Sequence, residues 1–150
     1  TPQEILPSHR GHESSGVPLV KAVCERLKVP GPHKKLAINV CRWHLHSHMA
    51  FELRASTIHK LFNGTRAYQN VQQFKKFLQA CQADAQGRLG LENREYPQVD
   101  YLTKCLESAI KVDTQALIDK GLTGKSLGDE INNERIKCIN TIKQSYNKNE

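Results

Sequence analysis

The sequence predicts an all-α protein, an irregular array of about six to eight helices. Three observations carry that reading. Apolar residues recur at three- and four-residue spacing in one segment after another. Proline and glycine punctuate those segments at Pro30, Gly64, Gly87 and Gly121. Sustained period-two alternation is missing, and no Asn-Gly pair joins two apolar runs as a hairpin. A chain of 150 residues buries roughly 70% of its unfolded surface, so one compact unit holds together without staples.

Each element follows in order. Gly16-Val17-Pro18 leads into Leu19, Val20, Val23 and Leu27, a helical stripe that ends at Val29-Pro30-Gly31-Pro32. Pro32 suits the first turn of the next helix, with Leu36, Ala37, Val40 and Cys41 inward. Ser56 to Phe62 predicts a short helix stopped by Asn63-Gly64. A long helix then places Val71, Phe74, Phe77, Leu78 and Cys81 on one face, and Gly87 is expected to end it in the left-handed conformation. Pro97 opens a helix carrying Tyr101, Leu102, Cys105, Leu106 and Ala109. Asp113 or Thr114 caps a brief helix that ends at Gly121, and the last helix carries Leu127, Ile131, Ile136, Ile139 and Ile142.

Composition narrows the function classes. No apolar run approaches a membrane span and no signal-peptide pattern opens the chain, so membrane and secreted readings are set aside. The five cysteines, Cys24, Cys41, Cys81, Cys105 and Cys138, are far apart and odd in number. They read as small buried hydrophobes of a reducing cytosol rather than a disulfide framework or zinc site. The chain opens on Thr1-Pro2-Gln3-Glu4 and its one Met is Met49, so it reads as a piece of something longer.

Charge is uneven. The net charge is +7. Residues 1–66 hold ten Lys or Arg against four acids, residues 67–150 twelve against eleven, and all seven histidines lie in the first 59 residues. A basic, histidine-rich front implies an anionic partner. Generic catalytic motifs are missing: no P-loop, dinucleotide fingerprint, G-x-S-x-G or H-E-x-x-H occurs. Two histidine constellations remain. In His9-Arg10-Gly11-His12-Glu13 two imidazoles and a carboxylate crowd together. In Trp43-His44-Leu45-His46-Ser47-His48, His44 and His48 share a helix face. Imidazole is the commonest metal ligand, and a metal-bound hydroxide could hydrolyse a phosphoester. The same spacing equally fits polar helix-end histidines facing solvent or phosphate.

Three ordered blocks carry a more specific signal. The first is Thr1-Pro2-Gln3-Glu4-Ile5-Leu6-Pro7-Ser8-His9-Arg10-Gly11-His12-Glu13, followed by Cys24-Glu25-Arg26-Leu27-Lys28-Val29-Pro30. The second is Ala83-Asp84-Ala85-Gln86-Gly87-Arg88-Leu89-Gly90-Leu91-Glu92 with Tyr96-Pro97-Gln98. The third is Lys120-Gly121-Leu122-Thr123-Gly124-Lys125-Ser126-Leu127-Gly128-Asp129-Glu130-Ile131. Together they resemble the bacterial multifunctional CCA-adding enzymes, tRNA nucleotidyltransferases that also carry an HD-type phosphohydrolase domain. The resemblance runs from the first residue to about Arg135.

The resemblance implies a C-terminal fragment. The parent would add and repair the 3′-terminal CCA of tRNA, using Mg2+ with CTP and ATP in a β-rich head that has no counterpart here. Residues 1–50 would be the later part of the HD-type domain and residues 51–150 a C-terminal helical region packed on it as one unit. The implied partner is tRNA, with a homodimer possible, and the implied compartment the cytoplasm. His9, His12 and His44 match family histidines near the HD metal site, which takes a transition metal such as Ni2+ and would act on 2′,3′-cyclic or 2′-phosphates. The position of its last aspartate is Leu45, which cannot ligate, so the expectation is a hydrolase site lost with its helical scaffold kept. His46 and His48 would substitute only through a register shift. The expected RNA contacts are Arg10, Lys34, Lys35, Arg42, Arg54, Lys60, Arg66, Arg88 and Lys125, with Asp84 paired to Arg88 or fixing its turn. A purely structural or dimerising scaffold is the alternative of another class. Residues 1–15 are expected to be the least ordered.

Overall fold

The computed structural model describes Gln3 and residues 11–87 and 89–147. His9, Arg10 and Arg88 lie outside the described residues, as does most of the segment expected to be least ordered. Among the described residues there are seven α-helices and no strand: α1 (His12–Arg26), α2 (Gly31–His48), α3 (Ala55–Thr65), α4 (Val71–Gln86), α5 (Gln98–Ile110), α6 (Thr114–Asp119) and α7 (Gly124–Asn147). The all-α expectation holds.

Local chemistry sets several boundaries. Pro32 lies in the first turn of α2, where its missing N–H has no partner to lose. Asn70 caps α4 by accepting from the Gln73 amide at 2.9 Å. Asp113 does the same for α6 through Ala116, at 3.0 Å. Gly121 follows α6 with a φ of 82°, a left-handed turn that suits glycine.

The core lies among α3, α4, α5 and α7. Ile58, Leu61 and Phe62 meet Phe74, Phe77, Leu78 and Cys81, and Tyr101, Leu102, Cys105, Leu106 and Ala109 join them, with Ile139 from α7 closing the set. Phe62 stands edge-on to Phe74 with centroids 5.3 Å apart, the arrangement favoured by the ring quadrupoles. Helix α2 packs on α3 and α4 through Leu36, Val40 and Trp43, and α1 packs on α2. Cys24, Cys81 and Cys105 are buried, Cys41 and Cys138 half-buried, and all five are free thiols.

Several expectations about helix ends and faces need correction. Helix α1 does not start after Pro18: it runs through Pro18 from His12. The face it buries holds Val17 and Cys24, while Leu19, Val23 and Leu27 stand exposed. The reason is that α2 alone covers α1 substantially, and Gly16, on the contact side, would bring a Cβ to 2.9 Å from the Cys41 sulfur. Asn63-Gly64 does not stop α3, which continues to Thr65 and ends with Arg66 left-handed at φ 58°. Gly64 serves close packing instead, its α-carbon against the Trp43 indole. Gly87 ends α4 at φ −76°, so no left-handed turn forms there. Asp84 meets His48 across the fold at 2.9 Å, and its expected pairing with Arg88 lies outside the described residues.

Candidate functional site

Two features occupy opposite sides of α2. The first is a row of imidazoles. His44 faces the carbonyls of Val40 and Cys41 with Nδ1, at 3.0 and 3.2 Å. Carbonyls only accept, so in the neutral ring Nδ1 carries the proton and Nε2 offers a lone pair. His12 Nε2, 3.0 Å from His44 Nε2, therefore donates. One turn along, His48 stands edge-on to His44 at 5.7 Å between centroids. His48 meets Asp84 at 2.9 Å through Nε2 and the Tyr96 hydroxyl at 2.9 Å through Nδ1. Tyr96 also bonds Ser47 at 3.0 Å. Burial pushes the Tyr96 phenol up to about 12, so it stays protonated and can always donate. The outer end of this row borders a cleft of about 190 Å³ with Arg94 and Gln98.

This row tests the metal site that the resemblance implies. His12 and His44 do come together. Their neighbour at the aspartate position is Leu45, an apolar side chain with no donor atom. His46 does not replace it: its ring packs edge-on against Trp43 at 4.8 Å, away from the His12–His44 pair. Burial, with Lys60 nearby, holds the His46 imidazole below its ordinary value. His48 is committed to Asp84 and Tyr96. Among the described residues no three His, Cys, Asp or Glu side chains form a group able to hold a metal ion. Among the described residues, which do not include His9, the donors do not fit the implied metal.

The second feature is basic. Where the start of α2, the end of α3 and the start of α4 meet, they enclose a cleft of about 610 Å³ lined by Lys35, Ile38, Asn39, Arg66, Gln69 and Gln73 among others. Arg66 reaches it because the left-handed turn after α3 turns the chain there. Lys35 and Arg66 are both exposed. Arg42, two turns beyond Lys35 on the same α2 face, is exposed as well.

The remaining predicted contacts divide. Lys34 is paired with Glu25 at 2.9 Å, which draws that carboxyl below its usual range and leaves less charge for a ligand. Arg54, at the start of α3, Lys60 and Lys125, in the first turn of α7, are exposed, but none lines the cleft. Sequence reasoning missed Asn39, Gln69 and Gln73. Isolated amides have no periodic or motif signal, and only the three-helix junction gathers them.

Comparison with known proteins places this chain. No family model matches it, and no solved structure matches it. The multifunctional CCA protein of Hahella chejuensis is 46% identical over 144 residues, 96% of this chain and 34% of that protein. The multifunctional CCA protein of Haemophilus influenzae is 43% identical over 146 residues, 97% of this chain and 35% of that protein. That of Thioalkalivibrio sulfidiphilus is 41% identical over 146 residues, 97% of this chain and 36% of that protein. The chain spans about a third of the length of the curated relatives it matches. Identity at this level over nearly every residue is common descent, and the chain is a relative of the multifunctional CCA proteins.

Proposed function

We propose that the chain is the helical, tRNA-positioning part of a CCA-adding tRNA nucleotidyltransferase of the cytoplasm. The observation that carries this is the basic face around Lys35, Arg42 and Arg66, read together with the likeness to multifunctional CCA proteins along the whole chain. Residues 1–50 are then the remainder of an HD-type domain, and residues 51–150 the helical region that α2 joins to it. Nucleotide addition, with Mg2+ and the substrates CTP and ATP, belongs to the part of the parent not included in these residues. Two-metal transfer needs carboxylates held close together, and no aspartate precedes Asp84. The work left to this chain is to hold RNA by its phosphates, the contacts that set register rather than sequence.

The phosphohydrolase reading rests on the His12–His44 pair. With Leu45 in the ligand position, no hydrolytic step through Ni2+ or another metal is derived.

The test is binding of an intact tRNA to the 150-residue chain at rising salt. Neutralisation of about four phosphates gives a log–log slope of roughly −3 to −4. Folded tRNA should bind more tightly than a single strand of equal length, because helical RNA is recognised by shape. No binding even at low salt would leave the scaffold reading in its place.

A further inference from the structure

We propose that Arg135, on α7, is a positioning residue for the basic cleft: stacked on Tyr68, it holds the 66–70 turn in the shape that presents Arg66 beside Lys35. This rests on the tRNA reading and adds a residue outside the cleft on which the grip of the cleft depends. Arg66 has a φ of 58°. Residues with a Cβ populate that region sparsely, and glycine is the usual choice just past a helix end. An arginine persists there only where its surroundings over-determine the turn.

Backbone bonds close the turn first. The Arg66 amide donates to the Asn63 carbonyl at 3.1 Å, the Ala67 amide to Phe62 at 2.8 Å, and the Asn70 amide to the Arg66 carbonyl at 3.0 Å. Tyr68 then ties the turn to the core. Its ring stands edge-on to Phe62 with centroids 5.8 Å apart, and its hydroxyl meets His59 at 2.7 Å. The Arg135 guanidinium lies over the same ring, 4.1 Å from its centroid, as a cation–π contact. Arg135 is given to nothing else that the structure shows. Among the described residues no carboxylate pairs with it, and its buried Nε has no hydrogen-bond partner. Neither Arg135 nor any other residue of α7 lines the cleft. Its route to the cleft therefore runs through Tyr68, two residues beyond Arg66.

The test is a double-mutant cycle on the 150-residue chain. It reads tRNA affinity at low salt and, without RNA, hydrogen exchange at the Ala67 and Asn70 amides. Arg135→Gln should weaken tRNA binding about threefold to tenfold, the size of a partly desolvated cation–π contact. It should speed exchange of the two turn amides by a similar factor and leave the amides within α4 as protected as before. In an Arg66→Ala background, Arg135→Gln should cost no further affinity, because nothing is left for it to position. Arg135→Lys, which keeps the cation without the flat guanidinium, should show a smaller loss of the same pattern and serves should Arg135→Gln not fold. Additive losses in the cycle overturn the proposal, since Arg135 would then act on RNA without Arg66. Unchanged affinity in Arg135→Gln while the unaltered chain binds tRNA overturns it and leaves the tRNA reading standing. Unchanged turn exchange overturns it whether or not tRNA binds, and so does protection lost equally from the turn and α4, the mark of a merely structural contact. Faster turn exchange in a chain that binds no tRNA supports the positioning role and removes the tRNA reading alone.

Discussion

Gly64 packs its bare α-carbon against the Trp43 indole. After Asn63 it looks like a stop, yet it sits inside α3 because a side chain there has nowhere to go. A Cβ would lie 2.7 Å from Cε2 of Trp43, whose rigid ring packs on the core. In an open helix, alanine would be favoured over glycine by about 1 kcal/mol. Here overpacking opposes that gain, at a typical cost of roughly 1–3 kcal/mol. Gly64→Ala should therefore lower the urea midpoint of unfolding, and a raised midpoint would show that the indole moves aside freely. His59 gives a second prediction at this scale. It is 7% exposed, it meets the Tyr68 hydroxyl at 2.7 Å and the Asn63 amide at 3.0 Å, and Arg135 lies across the Tyr68 ring at 4.1 Å. Burial first, and then the Arg135 charge, hold its imidazole below the ordinary value. The folded state thus binds this proton less readily than the unfolded chain. The stability it contributes is full above the ordinary histidine value of about 6.5 and is lost as the pH falls from there through the folded value. The drop in urea midpoint between about pH 7.5 and pH 5.5 should shrink in His59→Gln. It should not vanish, because His46 is shifted in the same direction. An unchanged drop would contradict the assignment.

At the scale of elements, the helices that carry the core were legible and the outermost helix was not. The apolar positions foreseen for α4 and α5 are buried, save Val71 at the start of α4, which is half-buried, because each of these helices is covered along a stripe. Helix α1 packs substantially against α2 alone. Its periodicity offers two candidate faces, one with Val17 and Cys24 and one with Leu19, Val23 and Leu27, and no local rule chooses between them. The small residue Gly16 against Cys41 does. A helix with one neighbour opens more easily than one buried on several sides. Amide exchange in α1 should run at least about tenfold faster than in α4 and α5. On its exposed outer face, Val23→Ser should change stability little, within about 0.5 kcal/mol by urea unfolding. Equal protection of α1 and α4, or a large loss in Val23→Ser, would mean that the stripe is covered.

For the whole molecule, charge was readable from the sequence and its grouping was not. The excess of Lys and Arg before residue 67 pointed to an anionic partner. Chain position did not say that Lys35 and Arg66 would share a cleft, because they stand 31 positions apart in the sequence and only the docking of α3 and α4 on α2 joins them. Nor did it show that Lys34 would be held by Glu25 while its neighbour stays open. In the histidine row, His12 and His44 were legible as a pair through the family resemblance, but the Asp84–His48 link across α4 and α2 was not. tRNA held on this basic face is what experiment should examine first. Its most direct test compares tRNA affinity at low salt for the double variant Lys35→Glu with Arg66→Glu against Lys120→Glu, an exposed lysine that does not line the cleft. The double variant should lose about tenfold or more in affinity and show a salt slope shallower by about 1.4–1.8, the share of two phosphates, while Lys120→Glu changes little. Equal losses in the two proteins, or an unchanged slope in the double variant, would contradict it.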